Sequence, residues 1–256
     1  MAEGKNKFPP SPQTDWAYFL DMDGTLIEIA DTPEGIVIDD SLLGLIWRLH
    51  AACGGAVALV SGRTLADLDR RVNRRSRDVA LPMAGQHGLE RRSGAGQVLT
   101  RAAPSAAKDV IARHFASVVA RHPGLRLEDK GLTVAIHYRQ APRLAGYVHR
   151  TLQGLVKGDQ GLYLQKGKRV VEVKPAGFDK GTAIEEYMKE EPFRGRRPVF
   201  IGDDVTDEHG FAVVERLQGL SVKVGPGKTG ARYRLPGVAA VRAWLGKAIG
   251  EQHEHS

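Results

Sequence analysis

Two carboxylates follow directly after a short apolar run near the start of the chain. The run, Ala-Tyr-Phe-Leu at positions 17–20, has the length and composition of a buried strand, and Asp21-Met22-Asp23-Gly24-Thr25 comes next. Because side chains alternate along a strand, we expect Asp21 and Asp23 on the same side. Open α/β sheets bind their ligands at the carboxyl ends of their strands. The pattern therefore predicts an α/β fold with an acidic site at one edge of its sheet.

Such a pair of carboxylates supports more than one role. It can hold a hard cation, offer a nucleophilic oxygen and place a proton donor beside that nucleophile. The structural alternative is a strand followed by an Asx-type turn, which DxDG sequences often form. The pair alone does not decide between these interpretations.

Further polar motifs stand at the ends of strands or the starts of helices later in the chain. An apolar run at 57–60 leads into Ser61-Gly62-Arg63-Thr64, and another at 198–201 leads into Gly202-Asp203-Asp204-Val205-Thr206-Asp207-Glu208. Between them, Phe178-Asp179-Lys180-Gly181-Thr182-Ala183 opens a helical pattern. A hydroxyl, a lysine and an acidic cluster thus follow the first acidic pair in a fixed order.

This order resembles the haloacid dehalogenase superfamily of phosphohydrolases. The resemblance implies that Asp21 attacks the phosphorus of a phosphate ester to form an aspartyl-phosphate, and that Asp23 is the general acid and then the general base. It implies that the Ser61 hydroxyl and the Gly62 amide bind phosphate oxygens, and that Lys180 balances negative charge on the nucleophile and the phosphoryl group. Helix capping and surface solvation are the ordinary alternatives for a single serine or lysine.

The same resemblance implies a bound Mg²⁺ ion. Its ligands would be the Asp21 carboxylate, the backbone carbonyl of Asp23 and the Asp203 carboxylate. Asp204 and Asp207 would orient the lysine and the metal-bound waters. The sequence does not rank the three acidic residues of the last motif, and an acidic helix N-terminus is the structural alternative for Asp207.

The pattern of predicted elements changes in the middle of the chain. Strand–helix–strand units at the start and after Lys174 predict a Rossmann-like core with a parallel sheet. From about residue 103 a helix–strand–strand pattern occurs twice, which predicts an antiparallel sheet covered by two helices. We therefore predict an α/β core formed by residues 1–102 and 175–256, with an α+β cap domain inserted at residues 103–174.

Other motifs resemble the trehalose-6-phosphate phosphatase family within that superfamily. They occur in both predicted domains: GQHGLE at 85–90, LEDKG at 127–131, IHYR at 136–139 and VEVKP at 171–175. The resemblance implies that Glu128, Lys130 and Glu172 bind sugar hydroxyls, and that His87 and Arg139 line the sugar pocket. Charged groups suit this task because charge-assisted hydrogen bonds are strong. The alternative for the charged residues is cross-strand ion pairing on an exposed sheet face.

The implied reaction is Mg²⁺-dependent hydrolysis of trehalose 6-phosphate to trehalose and inorganic phosphate, a step of trehalose biosynthesis. A related sugar-phosphate phosphatase, acting on sucrose phosphate or on mannosyl or glucosyl phosphoglycerate, is the main alternative because only the sugar contacts would differ. A phosphomutase would share the core. A catalytically silent binding module and a basic RNA-binding protein are alternatives from other classes.

Composition bears on partners and compartment. The chain has 256 residues and a net charge of +7, and five arginines lie within residues 70–77. No aromatic residues interleave with them and no nucleic-acid-binding motif is visible, so we expect a solvated basic face and no nucleic-acid partner.

Cys53 is the only cysteine, so no intrachain disulfide forms and a cytoplasmic location is predicted. No apolar run reaches membrane-spanning length, and we expect a monomer that binds a small-molecule sugar phosphate.

Overall fold

The computed structural model describes residues 7–30, 35–73, 80–101, 106–167 and 169–250. The chain divides into two compact units. The main unit comprises Met1–Leu99 and Asp179–Ser256, and the inserted unit comprises Thr100–Phe178. The boundaries predicted from the sequence lay after residues 102 and 174, and residue 102 is outside the described ranges.

Twelve strands and seven α-helices are present in the described residues. The strands are β1 (Ala17–Leu20), β2 (Val57–Val60), β3 (Met83–Gly85), β4 (Glu90–Arg92), β5 (Val98–Thr100), β6 (Arg126–Asp129), β7 (Val134–His137), β8 (Leu162–Gly167), β9 (Val170–Pro175), β10 (Pro198–Gly202), β11 (Leu220–Val224) and β12 (Tyr233–Leu235). The helices are α1 (Asp40–Ala52), α2 (Leu65–Val72), α3 (Ala106–Val119), α4 (Ala145–Leu155), α5 (Lys180–Tyr187), α6 (Glu208–Arg216) and α7 (Val238–Ala248).

The main unit is built on an eight-stranded sheet with the order β12-β11-β10-β1-β2-β3-β4-β5. The six strands from β12 to β3 pair in parallel, and β4 is antiparallel to β3. Strands β1, β2, β10 and β11 are buried along their whole length, as expected for a parallel sheet covered on both faces. The predicted α/β class with a parallel-sheet core is confirmed.

Strand β1 lies in the middle of this sheet and is packed by aromatic side chains. The Phe19 ring lies 5.4 Å from that of Phe193 and 5.8 Å from that of Tyr187, between centroids. The adjacent Tyr18 ring lies 6.3 Å from that of Trp244, and alternation along the strand places it on the opposite face. Aromatic pairs of this kind contribute about 0.5–1.5 kcal/mol each beyond their burial. The strand that leads into the first acidic motif is therefore firmly held.

The inserted unit is an α+β module, as predicted. Its antiparallel sheet has the order β6-β7-β9-β8. Apolar residues of β7 and β9 form a core with residues of α3 and α4, among them Ile111, Phe115, Val148 and Leu152. Alternation along the strands leaves the other face of this sheet polar.

Three details differ from the sequence prediction or lie beyond it. Strand β12 was not predicted, because a run of three residues is too short for a periodic signal. The glycine-rich segment 225–230 is a loop between β11 and β12. Within the basic run, Arg74, Arg75 and Arg77 lie outside the described residues.

No helix in the part of the chain that the structure describes is both long and apolar enough to cross a membrane.

Candidate active site

The predicted catalytic motifs meet at one edge of the main sheet. Strand β1 is flanked in parallel by β10 and β2, so the residues after these strands share the carboxyl edge. Asp21 follows β1, Ser61 follows β2, and Asp203 follows β10. The Asp21 amide donates to the carbonyl of Ile201 at 3.0 Å, which continues the pairing with β10 by one residue. This edge is where open α/β sheets bind ligands.

A buried lysine joins two of the carboxylates. Nζ of Lys180 donates to Oδ1 of Asp21 and to Oδ1 of Asp207, both at 2.6 Å. Lys180 is 3% exposed, Asp21 is 4% exposed and Asp207 is 0% exposed. Oγ1 of Thr25 donates to the other Asp21 oxygen at 3.1 Å. Both oxygens of Asp21 thus have partners, and its carboxylate has a defined orientation.

Helix α5 places the lysine in this position. Asp179 is the N-cap, and its side chain accepts from the amide of Thr182 at 2.8 Å. The Thr182 hydroxyl in turn accepts from the amide of Asp179 at 3.0 Å, which completes a capping box. Lys180 is therefore the first residue of a helix whose start is fixed by two reciprocal hydrogen bonds.

Burial and charge shift both partners of the central ion pair. Burial acts to lower the pKa of Lys180, but the charges of Asp207 and Asp21 and the hydrogen bonds to them outweigh it and raise that pKa far above its ordinary value. Burial raises the pKa of Asp21; the charge of Lys180 opposes this, and the charges of Asp207 and Asp203 add to it. The Lys180 ammonium contacts two of these three carboxylates, and the carboxylates of the cluster outnumber its buried lysines, which leaves an excess of negative charge.

The three carboxylates fit a hard divalent cation. Asp21, Asp203 and Asp207 each offer an oxygen, and these oxygens lie within 4.8 Å of one another. Oxygen ligands are those that Mg²⁺ prefers, and a divalent ion would offset the excess negative charge. Gly24 permits the close approach of the first acidic loop, because its φ is +83° and an added Cβ would lie 2.3 Å from Oδ2 of Asp203.

A second buried lysine supports the Asp203 backbone. Nζ of Lys223 donates to the carbonyls of Asp203 and Val224, both at 2.6 Å, and the residue is 5% exposed. Sequence reasoning did not identify this residue. Its signal was a charged side chain inside the largely apolar strand β11.

Asp204 and Asp207 of the last acidic motif bind each other, and Asp207 also binds Lys180. Asp207 accepts from Lys180 through one oxygen, and through Oδ2 it accepts from the amide of Asp204 at 2.8 Å. The Asp204 side chain is the reciprocal partner in a capping box with Asp207. Asp207 is therefore both the partner of the lysine and part of a helix start, so the two interpretations of this residue are compatible.

Asp23 has different contacts from Asp21. Oδ1 and Oδ2 of Asp23 accept from Nη2 and Nε of Arg63, both at 2.7 Å, and the Asp23 side chain is 33% exposed. The strand ends at Leu20, and the positive φ of Gly24 then turns the chain. Both carboxylates lie beyond the strand, so the expectation that alternation places them on the same side stays a prediction. Arg63 stands in the quoted serine motif, but sequence reasoning gave it no role.

The serine motif is packed against the segment that contains His87. Ser61 is 1% exposed, and its carbonyl accepts from the amide of His87 at 3.0 Å. The Ser61 hydroxyl accepts from the amide of Arg63 at 3.2 Å. An added Cβ at Gly62 would lie 2.9 Å from the His87 ring. Three of the predicted phosphate and sugar contacts, Ser61, Gly62 and His87, are thus neighbours in the main unit.

Glu128 and Glu172, two of the predicted sugar contacts of the inserted unit, lie on the polar face of its sheet. The pairing register runs from Glu128 through Ala135 and Glu172 to Gln165, across all four strands. Nζ of Lys130 donates to Oε2 of Glu172 at 3.3 Å, and both side chains are at most 10% exposed. Lys130 and Glu172 therefore form an ion pair, as the structural alternative expected, but not one on a solvated surface.

Glu128 contacts His137 on this face. Nε2 of His137 donates to Oε2 of Glu128 at 2.7 Å. Burial opposes ionisation, but this hydrogen bond and the charge of Lys130 lower the pKa of Glu128 below its ordinary value. Arg139 follows strand β7 and is half-buried.

A parallel α/β sheet, an inserted α+β unit and a buried Asp–Lys–Asp cluster at the carboxyl edge together define the fold of the haloacid dehalogenase superfamily. A solved structure described as a trehalose-6-phosphate phosphatase related protein has this fold with a TM-score of 0.74. It is 27% identical, and the alignment covers 91% of this chain and 98% of that one.

Sequence relatives define the group more narrowly. A family model described as Trehalose-phosphatase matches residues 19–238. The trehalose-6-phosphate phosphatase of Escherichia coli (strain K12) is 44% identical over 236 residues, which is 92% of this chain and 87% of that protein. A probable trehalose-phosphate phosphatase of Sinorhizobium fredii (strain NBRC 101917 / NGR234) is 40% identical over 212 residues, covering 82% of this chain and 78% of that protein. The chain belongs to the trehalose-phosphatase family.

Proposed function

We propose that this protein is a Mg²⁺-dependent phosphatase that hydrolyses trehalose 6-phosphate to trehalose and inorganic phosphate. The observation that carries the proposal is the buried Lys180 bound to Asp21 and Asp207 at 2.6 Å, with Asp203 beside them. Membership of the trehalose-phosphatase family and the names of the relatives support the choice of substrate.

Asp21 is the nucleophile in this proposal. Its carboxylate is held by Lys180 and Thr25, so the oxygen that attacks phosphorus needs little reorganisation. Attack forms an acyl phosphate on Asp21 and breaks the bond between phosphorus and the sugar oxygen. Lys180 carries a fixed positive charge beside the phosphoryl group, where negative charge is shared among oxygens in the transition state.

Asp23 performs the proton transfers. It protonates the departing sugar oxygen, and it then takes a proton from the water that hydrolyses the acyl phosphate and releases inorganic phosphate. One side chain can serve both steps because the acid that has lost its proton is the base that the second step needs. The Ser61 hydroxyl and the Gly62 amide bind phosphate oxygens.

The carboxylates of Asp21 and Asp203 and the backbone carbonyl of Asp23 would hold Mg²⁺, with Asp207 and Asp204 orienting the lysine and the surrounding waters. When bound, this ion supplies positive charge that offsets the repulsion between an anionic nucleophile and an anionic ester.

The inserted unit recognises the sugar in this proposal and is the cap domain of the enzyme. Glu128, Lys130 and Glu172 bind hydroxyls of the glucosyl units, and His87 and Arg139 contribute from their own segments. A phosphate group is common to all phosphate esters, so the residues that select one ester must contact the alcohol part. Charged partners suit hydroxyl groups, which donate and accept.

One assay tests the activity and the substrate together. Phosphate release is measured from trehalose 6-phosphate, sucrose 6-phosphate, mannosyl phosphoglycerate and glucose 6-phosphate, first with Mg²⁺ and then with EDTA. We expect the highest kcat/KM for trehalose 6-phosphate, loss of activity in EDTA and recovery when Mg²⁺ is restored. A higher kcat/KM for another ester would overturn the substrate. Undiminished turnover in EDTA would overturn the dependence on the ion.

A further inference from the structure

Arg63 forms a two-point ion pair with Asp23. Two parallel bonds of 2.7 Å join its Nε and Nη2 to the two carboxylate oxygens. Bonds of this kind from a planar guanidinium fix both the direction and the rotation of a carboxylate, whereas a single bond fixes only one. Within the described ranges, Asp23 has no other side-chain hydrogen bond. The ion pair is thus the contact that sets where this carboxylate points.

Arg63 is itself held at both ends. Its Nη1 donates to Oδ2 of Asp67 in helix α2 at 2.8 Å. Its amide donates to the Ser61 hydroxyl at 3.2 Å, and its carbonyl accepts from the amide of Gln86 at 2.7 Å. The side chain is only 11% exposed. An arginine held in this way is a rigid support for the group that it contacts.

The loop that carries Arg63 is fixed as well. The Glu90 carboxylate accepts from the amide of Leu65, the first residue of α2, at 2.8 Å, and the Thr64 hydroxyl caps the same helix by accepting from the amide of Asp67 at 3.1 Å. Two independent hydrogen bonds thus fix the start of α2 directly after Arg63. A series of hydrogen bonds thus connects helix α2, through Asp67 and Arg63, to Asp23.

We infer that Arg63 is a positioning residue that orients Asp23 for its two proton transfers: the carboxylate paired with Arg63 is the form that takes a proton from water, and that proton is the one that Asp23 then gives to the leaving oxygen of the next ester. The inference rests on the proposed function, in which Asp23 has these tasks. General acid catalysis by a placed side chain contributes about 10²–10⁴-fold, and it depends on hydrogen-bond reach to the reacting oxygen. A sugar oxygen is a poor leaving group that needs the proton, whereas p-nitrophenolate leaves without one. The effect of Arg63 must therefore depend on the leaving group.

The test compares kcat/KM for trehalose 6-phosphate and for p-nitrophenyl phosphate in Arg63→Met, Arg63→Lys and Arg71→Met. The parameter kcat/KM reports only on the steps up to departure of the leaving group, so it does not depend on the later hydrolysis of the acyl phosphate. The matched control is Arg71, which also donates to Oδ2 of Asp67, at 3.0 Å, and which has no role in the proposed chemistry.

We expect Arg63→Met to lower kcat/KM for the sugar ester by about 100-fold and for the aryl ester by less than about 3-fold. Arg63→Lys keeps the charge but loses the two-point geometry, so it should restore part of the loss. Arg71→Met should change both values by less than about 2-fold. Equal losses on the two esters, or no loss, would overturn the inference.

A double-mutant cycle separates positioning from packing. In an Asp23→Asn background, Arg63→Met should add no further preference for the aryl ester, because the group that Arg63 orients can no longer give a proton. A further selective loss in that background would contradict the inference. If the thermal midpoint shows that Arg63→Met does not fold, Arg63→Lys replaces it in the comparison of the two esters. A selective loss for the sugar ester would support the inference, and equal losses or no loss would overturn it.

The outcome for Arg63 can be distinguished from the outcome for the substrate. If the wild-type protein releases phosphate from another alkyl ester and not from trehalose 6-phosphate, the proposed substrate is wrong. The Arg63 comparison is then made with that alkyl ester in place of trehalose 6-phosphate. A selective loss would still support the positioning role, and equal losses would still exclude it.

Discussion

The two units of the molecule differ in how they carry charge. The inserted unit has 14 lysines and arginines against 5 acidic residues, whereas the main unit has 23 against 25. In the main unit Asp21, Lys180 and Asp207 are all below 5% exposure, and of the acidic pair only the Asp23 side chain, at 33%, is partly exposed. In the inserted unit the Glu128 and His137 side chains remain about one-quarter exposed, although Lys130 and Glu172 on the same face are at most 10% exposed.

In the proposed function, this difference separates chemistry from recognition. Buried charges interact strongly and have few alternative arrangements, which suits groups that must meet one phosphorus atom in one geometry. Charges on a partly solvated sheet face can be exchanged with smaller losses in stability, which suits a surface that selects among sugars. Changes in the buried cluster of Asp21, Lys180 and Asp207 should therefore affect every ester alike, whereas changes at the sugar contacts of the inserted unit should affect one.

The largest expected effect is that of Asp21→Asn in the main unit. An amide is not a nucleophile towards phosphorus, so turnover of both trehalose 6-phosphate and p-nitrophenyl phosphate should fall by at least about 10³-fold. Steady-state kinetics measure the loss, and thermal unfolding checks that the fold is kept. The exposed Asp15→Asn is the matched control and should keep full activity. Residual turnover above about one-tenth of wild type would contradict the role of Asp21.

The next largest expected effect concerns metal binding, and it is measured by thermal unfolding and not by enzyme activity. Because a ligand that binds only the folded state stabilises it by about 2.7 kcal/mol at 100 times its Kd, saturating Mg²⁺ should raise the thermal midpoint by several degrees. The Asp203→Asn variant should lose most of this shift, and Asp15→Asn should retain it. An equal shift in Asp203→Asn would place the ion elsewhere.

Glu128→Ala tests the inserted unit. Loss of a hydrogen bond to a charged group costs about 1.5–3 kcal/mol, so kcat/KM for trehalose 6-phosphate should fall by about 10- to 100-fold, mainly through KM. The value for p-nitrophenyl phosphate should change by less than about 2-fold. Asp109→Ala, which removes an exposed carboxylate from helix α3 of the same unit, is the control. Equal losses on the two esters would remove the contrast between the units.

The smallest effect tests the charge difference itself. A strongly positive unit attracts an anionic substrate, and salt screens that attraction. Raising the ionic strength from 0.05 to 0.5 M should therefore lower kcat/KM for trehalose 6-phosphate by about 3-fold or more. The measurement is repeated with choline chloride in place of NaCl to separate screening from specific ion effects. A rate independent of salt would show that the excess charge does not assist binding.

The sequence determined the main features of the fold and most of the site. Short apolar runs that end in polar motifs identified strands β1, β2 and β10, because a buried parallel strand has no polar face to interrupt its pattern. The motif at residues 178–183 marked the start of helix α5, whose N-cap is Asp179. The order of the motifs identified the superfamily before any side-chain contact was known.

Only the tertiary structure decided which side chains are partners. Lys180 and Asp21 are 159 residues apart in the sequence, and Arg63 and Asp23 are 40 apart. The support of Asp203 by Lys223 is of the same kind. Periodicity and local propensity report the surroundings of a residue along its own element, whereas these contacts depend on which strands are neighbours in the sheet and on how far each side chain reaches.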